Sequence, residues 1–268
     1  MNDIDRTASA APATQTAQTT QTARTALACL DLTSLNDADT EADIAALAAR
    51  AAGPFGAPAA LCVWPRLAAF ARREAPAAVA IAAVANFPHG GTDVAAAVRD
   101  TAAIVQAGAQ EVDVVLPWRA LQAGDDRAAA ALLAAVRRAC EGLRLKVILE
   151  TGELADDALI RRAAALALAE GADFLKTSTG KVPVGATPAA ARALLETIVA
   201  TPGSTAGFKA SGGVRTVADA ALYIGLVREI LGESAVGPQR LRLGASGLLN
   251  DIEAVLGGAA PAALSQGY

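Results

Sequence analysis

The sequence is short of the residues that mark metal, disulfide and nucleic-acid chemistry. It has one histidine, His89, which excludes histidine-rich zinc sites and any H-E-x-x-H arrangement. Its three cysteines, Cys29, Cys62 and Cys140, are widely spaced and odd in number. That argues against a disulfide framework and for a reducing compartment. Basic runs are absent, and 23 Lys and Arg stand against 27 Asp and Glu for a net charge of -4. Nucleic acid is therefore not an expected partner. No stretch of about 18 apolar residues runs without Gly, Pro or charge, so no membrane span is expected. Aromatics make up only 3% of the chain, while about a quarter of it is alanine. Alanine forms helix well but fills little volume, so the larger Val, Ile and Leu must gather in few places.

Lysine is the most informative scarcity. Only Lys146, Lys176, Lys181 and Lys209 occur, and the other nineteen basic residues are arginine. Arginine serves at surfaces but does not deprotonate, so it cannot act as an amine nucleophile. Four lysines among so many arginines mark places that need an amine.

Residues 1–26 are rich in Thr, Ala and Gln without hydrophobic periodicity, and read as a disordered or loosely ordered tail. They lack the apolar core of a signal peptide. From Leu27 to Tyr268 the chain reads as one domain. Short apolar runs fall at 27–33, 60–65, 79–86, 111–117, 145–151, 173–179, 206–212 and 241–246. Helical stretches such as 40–51, 93–107, 157–170, 188–200 and 216–231 follow them, with glycine stops at Gly108, Gly142 and Gly171. Apolar strands of this length alternating with helices predict a parallel sheet buried on both faces. Eight such units predict an α/β fold, the (β/α)8 TIM barrel. A doubly wound sheet is the alternative, but no G-x-G-x-x-G follows the first strand.

Such barrels carry their active sites at the C-terminal ends of the strands. The polar residues late in each run are Asp31 and Thr33, Cys62, Asn86, Asp113, Glu150, Lys176, Lys209 with Ser211, and Ser246. Lys146 shares the strand parity of Ile148 and Glu150 and points the same way. A lysine inside an apolar strand is costly to desolvate unless it is paired or loses its proton, and a second cation nearby favours the loss. Two lysines ending successive strands, with Asp113 and Asp31 available, point to a neutral amine that forms a Schiff base with a carbonyl. Gly212, Gly213 and Gly244 follow the seventh and eighth strands, where barrels often bind phosphate on backbone N–H groups.

The segments KTSTGK at 176–181, GFKASGGVRT at 207–216, EVDVV at 111–115 and NFPHG at 86–90 resemble the deoxyribose-phosphate aldolases. The opening LDLTSLN at 30–36 and the terminal Gly267-Tyr268 are similar to the longer enterobacterial-type branch. The resemblance implies a class I lyase that reversibly cleaves 2-deoxy-D-ribose 5-phosphate to glyceraldehyde 3-phosphate and acetaldehyde, with no metal or cofactor. It implies that Lys176 forms the Schiff base, Lys209 tunes it, and Asp113 shuttles protons through water. Asp31 and Lys146 belong to the same network. Thr33, Thr179, Lys181, Gly212, Gly213, Gly244, Ser246 and Gly247 match the substrate and phosphate positions, and Tyr268 matches a residue that transfers protons at the nucleophilic carbon. Gly247 replaces a second serine usual in that branch. Cys62 matches a cysteine open to attack by aldehydes. His89, Trp64, Trp118 and Tyr223 read as packing or loop residues. A cytoplasmic homodimer is implied. A different Schiff-base barrel of the transaldolase kind, or a catalytically silent barrel, are the competing readings.

Overall fold

In the computed structural model, residues 10–265 are described. Eight strands alternate with helices and close into a parallel barrel in sequence order. The order begins α1 (Ala10–Ala28), β1 (Leu30–Thr33), α2 (Glu41–Ala51), β2 (Ala60–Val63), α3 (Pro65–Glu74) and β3 (Ala80–Ala85). It continues with α4 (Val94–Gln106), β4 (Glu111–Val115), α5 (Trp118–Gln122), α6 (Asp126–Ala139), β5 (Arg144–Ile148), α7 (Thr151–Leu154) and α8 (Asp157–Ala169). It ends with β6 (Phe174–Lys176), α9 (Pro188–Ala200), β7 (Gly207–Ser211), α10 (Val217–Leu231), β8 (Leu241–Ala245) and α11 (Leu248–Leu256). The (β/α)8 TIM barrel read from the sequence is the observed fold.

The helix boundaries follow local chemistry. Thr40 caps α2 in a capping box with Asp43, and Thr187 caps α9 with Pro188 in its first turn. Gly108, Gly142 and Gly171 take positive φ just beyond α4, α6 and α8. One element differs from the sequence reading of a loose tail over 1–26. Residues 10–28 are helical, and Ala23, Ala26 and Leu27 are buried where α1 packs on α10 and α11. A face built from alanine methyls carries almost no apolar periodicity, yet it lets helices approach closely and adds good helix propensity. Residues 1–9 lie outside the described part.

The closed ring sorts side chains into two environments. Val, Leu and Ile of the strands that face outward pack beneath the helices in one continuous core. The inward faces are divided. Ala60, Cys62, Ala82 and Val84 from β2 and β3 form a small apolar wall with Leu35, backed by Trp64 and Phe87. The opposite side of the interior, from β4 through β8 and β1, carries almost all the buried charge. Long amines can therefore reach across the axis toward a low wall.

Candidate active site

Register explains the convergence. Asp113 on β4 pairs with Lys146 on β5, Lys176 on β6 with Lys209 on β7, and Lys209 in turn with Arg242 on β8. Side chains at these levels share the inward parity. Gly244, in register with Asp31 and Ser211, lets the amines pass: a Cβ there would lie 2.9 Å from the Lys209 Cε.

Asp113 is the hub. Its Oδ1 accepts from the Lys146 Nζ at 2.9 Å, and its Oδ2 accepts from Lys176 at 2.9 Å and Lys209 at 2.7 Å. Lys209 also donates to Asp31 at 2.5 Å, and Lys146 lies 3.1 Å from the same carboxylate. The Cys62 thiol stands 3.9 Å from the Asp113 Oδ2. All six side chains are at most 2% exposed. The five polar network members read from the sequence, with Cys62, thus meet at one point.

Their protonation differs by surroundings. Burial alone would push the Asp113 carboxyl up, but the ammoniums of Lys146, Lys176 and Lys209 outweigh it and hold Asp113 well below the usual range. Asp31 is held down in the same way by Lys146, Lys209 and Arg242 against its own burial. For Lys209 and Lys146 burial favours loss of the proton, but two and three carboxylates respectively reverse the balance and raise both above the ordinary lysine value. Lys176 goes the other way. Burial lowers it, the Lys209 charge lowers it further, and Asp113 compensates only in part. One amine is thus eased toward neutrality among neighbours kept charged, as nucleophilic attack on a carbonyl requires. Burial raises the Cys62 thiol, which keeps it protonated.

Above this network a pocket of about 430 Å³ opens. Thr33, Thr179, Lys181, Gly212, Gly213, Gly244, Ser246 and Gly247 all line it, so every substrate-binding position read from the sequence faces one space. Gly212 holds φ +85, and a Cβ on it would come within 2.7 Å of the Ser178 Oγ. The glycine keeps the β7–α10 backbone bare toward the pocket. The Thr179 hydroxyl is committed, donating at 2.6 Å to the Glu150 Oε2, while its oxygen accepts from the Lys181 N–H at 3.0 Å. Thr179 therefore shapes the loop that carries Lys181. Tyr268 lies outside the described residues. Ser265, three residues earlier, is held on Asp219: its N–H donates to Oδ1 at 2.9 Å, and its hydroxyl lies 2.8 Å from Oδ2.

Two charged residues of the interior, Arg242 and Glu111, were not singled out from the sequence and lie below the amines. Glu150, read there among the polar strand-end residues, is buried and binds the Thr179 hydroxyl. Glu111 shares the parity of Asp113, and Arg242 that of Gly244, so strand periodicity could have placed both inside. Glu150 takes the left-handed conformation, φ 56, which no sequence pattern announces. Of the loop and packing residues, Trp64 donates to the Asn36 carbonyl and meets Phe87 edge-on, and Tyr223 donates to the Ala186 carbonyl. The His89 carbonyl accepts from Arg119, whose guanidinium stacks on Trp118. Among the described residues no helix is long and apolar enough to cross a membrane.

The sequence profile of the DeoC/LacD family aldolases matches residues 25–249. A protein of Agrobacterium fabrum described as deoxyribose-phosphate aldolase is 49% identical over 232 residues, covering 85% of this chain and 89% of its own length. The apo form of a candidate deoxyribose-phosphate aldolase from Toxoplasma gondii superposes with a TM-score of 0.83 at 25% identity, over 91% of this chain and 99% of that one. The tetrameric deoxyribose phosphate aldolase of Aeropyrum pernix gives 0.70 at 24% identity, over 88% and 96%, a likeness of fold.

Proposed function

Because the chain belongs to the DeoC/LacD family of aldolases, we propose that it is a class I lyase acting on 2-deoxy-D-ribose 5-phosphate. The observation that carries this reading is the convergence of three buried amines on Asp113, with Lys176 touching that carboxylate alone. Neutral Lys176 attacks the C1 aldehyde of the open-chain sugar. Loss of water from the carbinolamine gives an iminium, which accepts the electron pair when the C2–C3 bond breaks. The C3 hydroxyl gives up its proton and leaves as glyceraldehyde 3-phosphate, while C1 and C2 remain as an enamine. Protonation at C2 and hydrolysis release acetaldehyde and restore the amine.

Asp113 and Lys209 stand at the reacting nitrogen as charged acceptor and donor, suited to moving protons through water in carbinolamine formation and breakdown. Asp31 and Lys146 keep that pair ionised. The phosphate rests against Gly212, Gly213, Gly244, Ser246 and Gly247, with Thr33 and Lys181 beside it. Anchoring the far end of the substrate orients C1 over Lys176. Tyr268, read from the family resemblance, delivers the proton at C2. Cys62, beside Asp113, is an aldehyde liability rather than a participant. A cytoplasmic homodimer completes the reading, and sedimentation of the purified chain tests the dimer.

The direct test is reduction with borohydride in the presence of acetaldehyde, followed by peptide mapping. Label on the peptide bearing Lys176 supports the assignment, and label only elsewhere overturns it. Replacing Lys181 by Ala is expected to raise KM for the phosphorylated sugar roughly tenfold, the worth of one exposed charge contact, with kcat nearly unchanged. Unphosphorylated 2-deoxyribose should show no such difference, and equal losses on both sugars would move the phosphate site. Deleting Tyr268 should slow proton exchange at the acetaldehyde methyl more than it raises KM, and parallel losses would contradict its role.

A further inference from the structure

Lys176, Lys209 and Lys146 stand over a lower storey of charge that the reaction does not touch. The Arg242 guanidinium donates to the Asp31 Oδ1 at 2.6 Å and grips Glu111 with both terminal nitrogens, at 2.7 and 3.0 Å. Its Nε donates to the Pro238 carbonyl at 2.6 Å. Lys146 links the storeys, lying 2.5 Å from Glu111 and 2.9 Å from Asp113. The connected network holds three carboxylates, Asp31, Glu111 and Asp113, and four cations, Lys146, Lys176, Lys209 and Arg242. None of these groups is more than 3% exposed.

A sealed cluster of low polarisability disfavours a net charge. Three anions neutralise three cations, and the fourth cation is in surplus. Asp31, Glu111 and Asp113 are all held ionised by their partners, and an arginine does not deprotonate. Lys146 touches three carboxylates and Lys209 two, whereas Lys176 touches only Asp113. The surplus proton is therefore most weakly held at Lys176.

We propose that Arg242 is a positioning residue for the aldolase chemistry: its fixed charge beneath the carboxylates occupies anionic capacity that would otherwise hold Lys176 protonated. This inference rests on the proposed imine chemistry of Lys176 and assigns its tuning to a side chain that touches neither substrate nor the reacting amine.

The other groups around these two do not supply the same effect. Asp113, Lys209 and the Cys62 thiol face Lys176 from β4, β7 and β2. Glu150, beyond β5, is bound by the Thr179 N–H and hydroxyl, and burial raises it toward its neutral form. Around Arg242 stand Asp31, Glu111, the Cys29 thiol, pushed up to about 12 by burial, and the Phe174 ring at 5.7 Å. Arg144 also reaches Glu111, but its side chain is 29% exposed and its charge is screened by water.

The test reads the protonation of Lys176 itself: the rate of reductive trapping of acetaldehyde at Lys176 against pH, using cyanoborohydride and peptide mapping. A neutral amine is needed, so trapping falls as pH drops through the pKa of Lys176. Removing a cation raises that pKa and moves the fall to higher pH. Arg242→Gln should move it up by about one pH unit, the order expected for one buried unit charge acting through the intervening carboxylates. Glu111→Gln should move it down by a similar amount. The double variant Arg242→Gln with Glu111→Gln, which keeps the charge surplus, should return it close to the parental value. Arg242→Lys, which keeps the charge but loses the fork, should leave the position in place and remains informative if Arg242→Gln does not fold. A limb that stays fixed in Glu111→Gln, or that shifts in Arg242→Lys as far as in Arg242→Gln, overturns the proposal. Absence of Lys176 labelling in the parent protein would instead remove the aldolase reading beneath it.

Discussion

Lys176→Met is expected to melt higher than the parent protein while losing turnover by roughly 10⁴-fold or more, the scale seen when a covalent nucleophile is deleted. The sign of the stability change follows from linkage. The folded-state pKa of Lys176 lies below its ordinary value of 10.5. Between those two values the unfolded chain holds a proton that the folded protein releases, so Lys176 opposes folding in that window. The opposition grows as pH falls toward the folded pKa and vanishes above 10.5. Methionine fills similar volume beside Cys62 and carries no such cost. Removing one partner of a buried pair is costly when it strands the other charge, but Lys176 is the surplus cation and its loss leaves every carboxylate paired, so the expected gain is about 1–2 kcal/mol. Asp113 keeps Lys146 and Lys209 as partners. Calorimetry at pH 7 together with a coupled assay of deoxyribose 5-phosphate cleavage checks both halves. A variant that melts several degrees lower would mean that Lys176 is a structural ion-pair member.

Asp113→Asn is expected to be damaging on both counts. The isosteric amide keeps shape but removes the anion shared by three ammoniums, which leaves Lys209 with Asp31 alone and Lys146 with Asp31 and Glu111. Breaking a buried ion pair by removing one partner costs about 3–5 kcal/mol, a large part of a typical folding free energy of roughly 5–15 kcal/mol. Turnover should fall by roughly 10²–10⁴-fold, the range for a positioned proton-transfer group. The pH profile separates this from ordinary core damage. Asp113 has its pKa below 3.8, so its contribution is full above that value and is lost as pH falls toward the folded pKa. Parent and variant should therefore converge in stability on acidification. Lys209 and Lys146 have raised pKa values, so their contribution holds below 10.5 and fades only as pH rises through the folded values. The variant's deficit should thus be widest near neutrality. A deficit that stays constant from pH 3 to 7, followed by urea unfolding, would show that lost packing rather than lost charge is responsible.

The parts legible in the sequence were those that break a local rule. Lys176 and Lys209 interrupt apolar strands, where an amine is conspicuous, and the scarcity of lysine sharpened the signal. Parity aligned Lys146 with Glu150, the late position of Asp113 and Asp31 in their strands put them at the barrel mouth, and strand–helix alternation gave the barrel. Arg242 and Glu111 escaped because arginine and glutamate are common in this chain, and only the register of β7 on β8 and β4 on β5 brings them beneath the amines. The difference in protonation between Lys176 and Lys209 is likewise invisible in sequence, since it depends on which carboxylates each amine touches. The helix over residues 10–28 was missed because alanine methyls make a packing face that barely registers as apolar.

The seam of the ring joins its first strand to its last, and Asp31 meets Arg242 across 211 residues. A nascent chain leaves the ribosome at roughly 5–20 residues per second, so that carboxylate emerges about 10–40 s before its guanidinium. For that interval β1 has no β8 edge to pair with, and α1 lacks both helices it leans on. Native burial of the earliest segment must wait for almost the whole polypeptide. Chaperone demand should therefore concentrate on the amino-terminal quarter, and a circular permutant that opens the ring elsewhere would shift it.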